Sequence, residues 1–226
     1  MIKILNLKKE FGENQVLNGV TATLVEGNVY GIVGENGSGK TTLFRCLAGL
    51  ENYKGEIEYD GGMLKNELGL LLTEPFFMTK ITGLEYLKFM CQARSIDPDN
   101  LLERNVFDLP LNRYAETYST GMKKKLALTA ILLQENSVFI LDEPFNGVDI
   151  QSNILISEII LKLKALNKTI ILSSHIFSTL SDTCDQIFLL KKGKFSNPIL
   201  KHEYVELEKS MKEETVLKRL DKLGLK

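Results

Sequence analysis

The sequence contains no long apolar run. No stretch approaches the length of about 18 apolar residues that a membrane-spanning helix needs, and the first residues lack the layout of a signal peptide. The formal net charge is −1, and the densest basic block is Lys123-Lys124-Lys125. Neither feature favours a nucleic-acid partner. We therefore expect a cytoplasmic protein, and any membrane on which it acts must be spanned by another chain.

Cysteine is also scarce. Cys46, Cys91 and Cys184 lie far apart and form no C-x-x-C pair. This spacing suggests neither a disulfide framework nor a zinc site, and we expect free thiols in a reducing compartment. What is present suits one large α/β domain with a full core, because 44% of the 226 residues are hydrophobic and 25% are charged.

The most informative segment is a glycine-rich loop, called here the phosphate loop. Its residues Gly34, Glu35, Asn36, Gly37, Ser38, Gly39, Lys40 and Thr41 match the pattern G-x-x-x-x-G-K-[ST]. A short buried strand is predicted over 28–33 and a helix over 42–49. Glycines allow consecutive N–H groups to face an anion at a helix N-terminus. The loop therefore predicts binding of a nucleoside triphosphate, with Thr42 adjoining the phosphates.

Two residues of this loop have individual predicted roles. Lys40 would reach the β- and γ-phosphates, and the Thr41 hydroxyl would be a ligand of Mg²⁺. A glycine-rich turn that matches the pattern by accident is the alternative, and the strand–loop–helix context argues against it.

Buried strands and helices alternate along most of the chain. Antiparallel strands are predicted over 2–7 and 16–24. The pattern then predicts strands over 55–59 and 68–72, a helix-rich insertion over about 82–112 broken at 97–98, a helix from 120, a strand over 137–141, a helix over 150–166, a strand over 168–173, a short helix and a strand over 186–191. The prediction is an α/β P-loop NTPase fold with a mostly parallel sheet, an N-terminal antiparallel β region and a helical subdomain insertion.

A pair of acidic residues ends one of these strands. Val138-Phe139-Ile140-Leu141 is followed by Asp142 and Glu143, and the carboxyl ends of parallel strands face the ligand crevice. Asp142 would hold Mg²⁺ opposite Thr41. Glu143 would polarise an attacking water as the general base. A strand end with a solvated acidic pair is the alternative if this motif is taken alone.

A third motif identifies the family. Tyr118-Ser119-Thr120-Gly121-Met122 is similar to the Leu-Ser-Gly-Gly-Gln signature of ATP-binding cassette (ABC) transporters, and the resemblance covers about residues 1–195. It implies that Ser119 and Gly121 bind the γ-phosphate of ATP held by a second cassette, in a homodimer or a heterodimer. A simple N-cap at Ser119 is the alternative.

Further positions agree with this resemblance. It implies that His175 hydrogen-bonds the γ-phosphate and orients Glu143. It implies that Phe11 stacks on adenine, with Val16 nearby; a core position at a strand end is the alternative for Phe11. Asn146-Gly147-Val148-Asp149 resembles the loop by which one cassette touches the other's catalytic site, and Asp149 is well placed to cap the helix 150–166.

The sequence departs from the family in two places. Thr73 stands where the family usually has a glutamine that contacts Mg²⁺, and its shorter side chain would reach the metal through a water. Glu74 is a substitute if the loop has another register. Thr120 and Met122 replace the usual glycine and glutamine of the signature. We expect a working but slow ATPase.

The resemblance implies a subunit that couples ATP hydrolysis to a separate integral membrane permease at the cytoplasmic face of the cell membrane. The sequence over 82–87 looks more like that of cassettes that serve exporters than that of cassettes that serve importers. Phe76, Phe77 and Met78 are expected either to line the permease docking groove or to form the core of the insertion. The expected organisation is a nucleotide-binding domain over 1–195, with a helical subdomain at about 80–134, and a helical appendage over 196–226. The alternative function is a soluble ABC-type ATPase in assembly or maintenance.

Overall fold

The computed structural model describes residues 1–212, with side chains described to residue 209. The expected helical positions Val216, Leu217, Leu220 and Leu223 lie outside the described residues. The strands are β1 (Ile2–Phe11), β2 (Asn14–Leu24), β3 (Val29–Val33), β4 (Lys54–Tyr59), β5 (Leu68–Leu71), β6 (Val138–Leu141), β7 (Thr169–Ser173), β8 (Gln186–Lys191), β9 (Lys194–Phe195) and β10 (Ile199–Leu200). The helices are α1 (Lys40–Leu47), α2 (Gly83–Gln92), α3 (Thr120–Leu133), α4 (Ile150–Ala165), α5 (Phe177–Thr183) and α6 (Tyr204–Lys212).

Two sheets organise residues 1–212. The first is antiparallel and has the order β2-β1-β4. The second has the order β10-β8-β3-β7-β6-β5, with β9 beside β8. Strands β8, β3, β7, β6 and β5 run parallel, and β10 pairs antiparallel with β8 at the edge. The predicted fold class is therefore confirmed, including its N-terminal antiparallel region.

The central strands are mostly apolar because both faces of their sheet are covered. In β3, Tyr30 and Ile32 enter a core shared with α1 and the antiparallel sheet. Val29 and Val33 enter the other core, which α2, α3 and α4 complete. This two-sided burial fixes the C-terminal ends of β3, β6 and β7 side by side, and the candidate site lies there.

The predicted insertion is less helical than expected. Helix α2 begins with a capping box between Thr82 and Glu85 but ends at Gln92, before the break expected at 97–98. Turns follow, because Ser95, Asn100 and Asp108 have left-handed backbones that no α-helix accommodates. Among the helices of residues 1–212, none has the length and apolar composition of a membrane span.

Candidate nucleotide-hydrolysis site

The phosphate loop connects the end of β3 to the start of α1. Gly37 (φ 80°) and Gly39 (φ 102°) both have left-handed backbones, and glycine adopts this conformation without the penalty of a Cβ atom. A Cβ atom at Gly39 would also lie 2.9 Å from Val16 Cγ1. The loop is thus shaped by its glycines and packs against β2, and α1 begins at Lys40, two residues earlier than predicted.

Lys40 bends back over the loop that precedes it. Its ammonium donates to the carbonyl oxygens of Gly34 at 2.7 Å and Glu35 at 3.2 Å. Burial lowers the pKa of Lys40, and the carboxylates of Glu143 and Asp142 oppose this shift. An ammonium has three N–H donors, so one donor beyond these two carbonyls is available for a phosphate.

A chain of hydrogen bonds joins the ends of three segments. The Thr41 hydroxyl donates to Asp142 Oδ2 at 2.6 Å, and the Ser173 hydroxyl donates to Asp142 Oδ1 at 2.7 Å. The Glu143 N–H donates to Ser173 Oγ at 2.9 Å. Ser173, which the sequence did not single out, therefore aligns both acidic residues. Its position as the last residue of β7, beside the end of β6, was the available signal.

Glu143 has an unusual backbone and a buried side chain. Its φ is 52°, in the left-handed region, and its side chain is 10% exposed. His175 Nε2 lies 3.1 Å from Glu143 Oε1, yet Oε1 is buried without a hydrogen-bond partner among the described residues. Both side chains can therefore contact one ligand that lies beside the pair, such as a water next to a phosphate.

A cavity of about 570 Å³ lies over these residues. Most of the predicted site residues line it: Phe11, Val16, Asn36, Gly37, Ser38, Gly39, Lys40, Thr41, Thr42, Thr73, Asp142, Glu143 and His175, together with Asn146. Gly34, Glu35 and Glu74 are not among the lining residues. Thr73 therefore faces the cavity, whereas Glu74, which was considered as its substitute, does not line it.

Phe11 forms one wall of the cavity at the end of β1. Its side chain is 48% exposed, so the alternative of a core residue does not describe it. The Lys9 ammonium lies 4.5 Å from the centre of the Phe11 ring. The ring thus combines an exposed face with a neighbouring cation, which suits a purine linked to phosphates.

The chemistry of the donors fits Mg²⁺ beside phosphates. Mg²⁺ prefers oxygen ligands and usually takes one or two from the protein and the rest from phosphates and water. The Thr41 hydroxyl and the Asp142 carboxylate are oxygen donors that already touch each other. Ser38 Oγ, in the phosphate loop, is buried and has no hydrogen-bond partner among the described residues. The paired oxygens of Thr41 and Asp142 and the unpartnered hydroxyl of Ser38 therefore fit a magnesium–nucleotide complex.

The signature segment (118–122) does not line this cavity. Ser119 caps α3, since its hydroxyl accepts from the Met122 N–H at 3.2 Å. Gly121 packs directly on the loop 146–149, where a Cβ atom would lie 2.5 Å from the Gly147 carbonyl oxygen. As predicted, Asp149 caps α4 by accepting from the Ser152 N–H at 2.9 Å.

The basic triplet lies on α3, but it is not all surface. Lys125 forms an ion pair with Asp149 at 3.1 Å, and these contacts hold the pKa of Asp149 far below its usual range, chiefly through the Ser152 hydrogen bonds. Lys124 is buried. The sequence alone does not distinguish these lysines, and only the three-dimensional packing separates them.

Relatives of this chain are ATP-binding proteins of transporters. An uncharacterized ABC transporter ATP-binding protein of Methanocaldococcus jannaschii is 34% identical over 203 residues, covering 85% of this chain and 75% of the relative. The lantibiotic transport ATP-binding protein SrtF of Streptococcus pyogenes is 31% identical over 216 residues, covering 90% and 91%. The bacitracin transport ATP-binding protein BcrA of Enterococcus faecalis is 31% identical over 213 residues, covering 85% and 67%.

Solved structures share the fold. An ATP-binding cassette solved as a dimer in a post-hydrolysis state, bound to ADP and Pi, superposes with a TM-score of 0.80 at 20% identity, covering 89% of this chain and 99% of the other. The family model described as ABC transporter matches residues 17–146, more than half of the chain. The chain therefore belongs to the ABC transporter family, as an ATP-binding subunit with an ATPase domain.

Proposed function

We propose that the cavity binds ATP with Mg²⁺ and hydrolyses it. The adenine stacks on Phe11 beside Val16, and the phosphates lie in the loop 34–42. Thr41 and Asp142 would hold the metal, and the shorter Thr73 would act on it through a water. Mg²⁺ held there would neutralise charge on the phosphates. The supporting observation is the 2.6 Å hydrogen bond between Thr41 and Asp142, because it joins the phosphate loop to the acidic strand end.

In this proposal Glu143 is the general base. It accepts a proton from the water that attacks the γ-phosphorus, and the bond to the β-phosphate oxygen breaks to give ADP and phosphate. His175 orients the carboxylate and the γ-phosphate. The proximity of Glu143 Oε1 to His175 Nε2 supports this pairing. Lys40 and the loop amides stabilise the charge that develops on the phosphates.

We further infer that two cassettes enclose two nucleotides. Ser119 and Gly121 contribute nothing to the cavity of their own chain, yet Ser119 is exposed at the N-terminus of a long helix, where an anion binds favourably. A second copy or a related cassette supplies the phosphate. The dimeric state of the solved cassette with ADP and Pi supports the same arrangement.

The membrane partner is a separate permease, and the substrate is exported. Phe76 is 81% exposed and Met78 is 41% exposed, so both are available to a partner helix. Phe77 packs edge-on against Tyr86, with ring centres 4.7 Å apart, and belongs to the core of the insertion. The names of the lantibiotic and bacitracin transport relatives support a role in transport.

The domain organisation that we propose follows from the assignment as an ATP-binding subunit. Residues 1–195 form the nucleotide-binding domain, with the helical subdomain at about 80–134. The C-terminal appendage covers 196–226; its first part adds β10 to the edge of the main sheet. Together with the permease, the protein acts at the cytoplasmic face of the membrane.

Affinity capture tests the transporter assignment. Tagged Glu143→Gln is isolated from detergent-solubilised cells with ATP present, and co-purifying chains are identified by mass spectrometry. We expect an integral membrane protein in near-equal amount, and its loss from Phe76→Ser, because a polar side chain removes the exposed apolar contact. Capture of soluble partners alone, or of a bare dimer, would overturn the permease assignment and favour an assembly ATPase.

A further inference from the structure

Lys124 is a buried cation that the proposed reaction does not use. It lies near the start of α3, and the residue is 1% exposed. Its ammonium donates to two main-chain oxygens, the Glu143 carbonyl at 2.7 Å and the Asn146 carbonyl at 2.9 Å. A buried ammonium is costly unless its donors are satisfied and a negative charge is near. The position of this charge therefore calls for a reason.

Electrostatics tie Lys124 to the catalytic carboxylates. Burial lowers the pKa of Lys124, and the charges of Glu143 and Asp142 act in the opposite direction. The lysine thus faces the acidic pair from the helix side, while Lys40 faces it from the phosphate loop. A neutral apolar residue would fill the same space without this attraction.

The main chain that Lys124 contacts is strained. Glu143 has a φ of 52° and precedes Pro144, a combination that persists only when the surroundings hold it. Its N–H donates to Ser173 Oγ, and its carbonyl accepts from Lys124. The Asn146 N–H also donates to the Glu143 carbonyl at 3.2 Å. Lys124 therefore clamps both ends of the turn 143–146.

We propose that Lys124 is a positioning residue for hydrolysis, which holds the turn 143–146 and thereby places the Glu143 carboxylate beside His175. The inference rests on the proposed role of Glu143 as general base. Lys124 and Ser119 lie at the same end of α3. Through Lys124, the segment that binds the partner's phosphate is therefore connected directly to the general base Glu143.

The test compares Lys124→Met, which keeps the volume but removes the donors, with Lys124→Gln, which retains an N–H donor. We expect Lys124→Met to lower kcat on the order of a hundredfold, because small displacements of a reacting group cost that much. KM and ATP affinity change by no more than about twofold. Lys124→Gln recovers part of the rate. Lys162→Met, an exposed change on α4, is the matched control and keeps the wild-type rate.

The Glu143→Gln background separates positioning from a merely structural role. In single-turnover hydrolysis over hours, Glu143→Gln and the double variant with Lys124→Met should hydrolyse bound ATP equally slowly. A further loss in the double variant would overturn the proposal. So would a Lys124→Met enzyme with the wild-type kcat, provided that Glu143→Gln is inactive. If Glu143→Gln hydrolyses like the wild type, the general-base assignment itself fails.

If Lys124→Met does not fold, Lys124→Gln carries the test. Its kcat should lie between those of the wild type and Glu143→Gln. In the Glu143→Gln background, Lys124→Gln should cause no further loss of rate. Because the shorter glutamine side chain cannot reproduce both contacts of the ammonium, a folded Lys124→Gln protein with the wild-type kcat would overturn the clamp. Circular dichroism and thermal melting of each variant establish which comparison applies.

Discussion

The Thr41 hydroxyl donates a 2.6 Å hydrogen bond to Asp142 Oδ2, although the two residues lie 101 positions apart in the sequence. This contact joins the start of α1 to the end of β6. Both oxygens belong to the ligand types of Mg²⁺. Two oxygens of these types therefore meet at one corner of the cavity.

Asp142→Asn should weaken binding of ATP with Mg²⁺ by at least about tenfold, because removing one charged ligand of a metal costs more than a neutral hydrogen bond. Binding of ATP in EDTA should change far less. Fluorescence titration with a labelled ATP in both conditions measures the difference. Asp182→Asn, an exposed carboxylate outside the cavity, is the control. Equal losses with and without Mg²⁺ would argue against a metal ligand.

The same variant should also be less stable. The Asp142 charge attracts the buried ammonium groups of Lys40 and Lys124, and its removal leaves them less compensated. We expect the free energy of unfolding to fall by about 1–3 kcal/mol in urea denaturation. An unchanged midpoint for Asp142→Asn would show that the two lysines do not depend on this charge.

Gly121→Ala should disrupt the packing of the signature segment on the loop 146–149. The new methyl group would lie 2.5 Å from the Gly147 carbonyl oxygen, and main-chain atoms yield only by moving the loop. We expect a loss of about 1–3 kcal/mol in unfolding free energy and weaker ATP-induced dimerisation in size-exclusion chromatography. Glu116→Ala, exposed just before the signature segment, serves for comparison. Normal dimerisation of Gly121→Ala would show that the packing of Gly121 on Gly147 is not needed to form the dimer interface.

Phe11→Ala should weaken ATP binding roughly threefold to tenfold, since aromatic stacking contributes about 0.5–1.5 kcal/mol beyond area burial. Thermal stability should stay near the wild-type value because the side chain is half exposed. Calorimetric titration with ATP and with inorganic triphosphate distinguishes base from phosphate contacts. The triphosphate affinity should not change, and Phe11→Tyr should bind ATP normally. An equal loss of affinity for ATP and for triphosphate would show that Phe11 does not contact the base.

The cysteines should resist thiol reagents in the native protein. Cys46, Cys91 and Cys184 are buried free thiols, and burial raises the pKa of Cys46 to about 11 and of Cys184 to about 12. A higher pKa leaves less thiolate, about one Cys46 in a thousand at pH 8. Ellman's reagent should therefore react slowly in buffer and with all three thiols in guanidinium. Rapid native labelling at pH 8 would contradict this burial.

The sequence predicted the parts of the fold whose signals are local. The apolar runs of β3, β6 and β7 and the capping residue Asp149 needed only neighbouring residues to be recognised. The turns after Gln92 escaped prediction because left-handed residues such as Ser95 and Asp108 leave no clear pattern. Lys124 escaped because burial of one lysine among three depends on where the turn 143–146 passes, which is a tertiary fact.

The site followed the same division. The phosphate loop, Asp142 and His175 could be predicted from motifs, and the structure brings them to one cavity. Ser173 could not, because its role depends on the register between β6 and β7, where Leu141 lies opposite Leu172. Motifs identify residues that line the cavity, whereas the residues that hold them in place depend on packing.

The decisive measurement is magnesium-dependent ATP hydrolysis by the purified protein, compared with that of Glu143→Gln. We expect turnover by the wild type and a loss of about a hundredfold or more in Glu143→Gln, with ATP still bound and the dimer retained, because the amide cannot accept the proton. Hydrolysis by Glu143→Gln at the wild-type rate would show that Glu143 is not the general base.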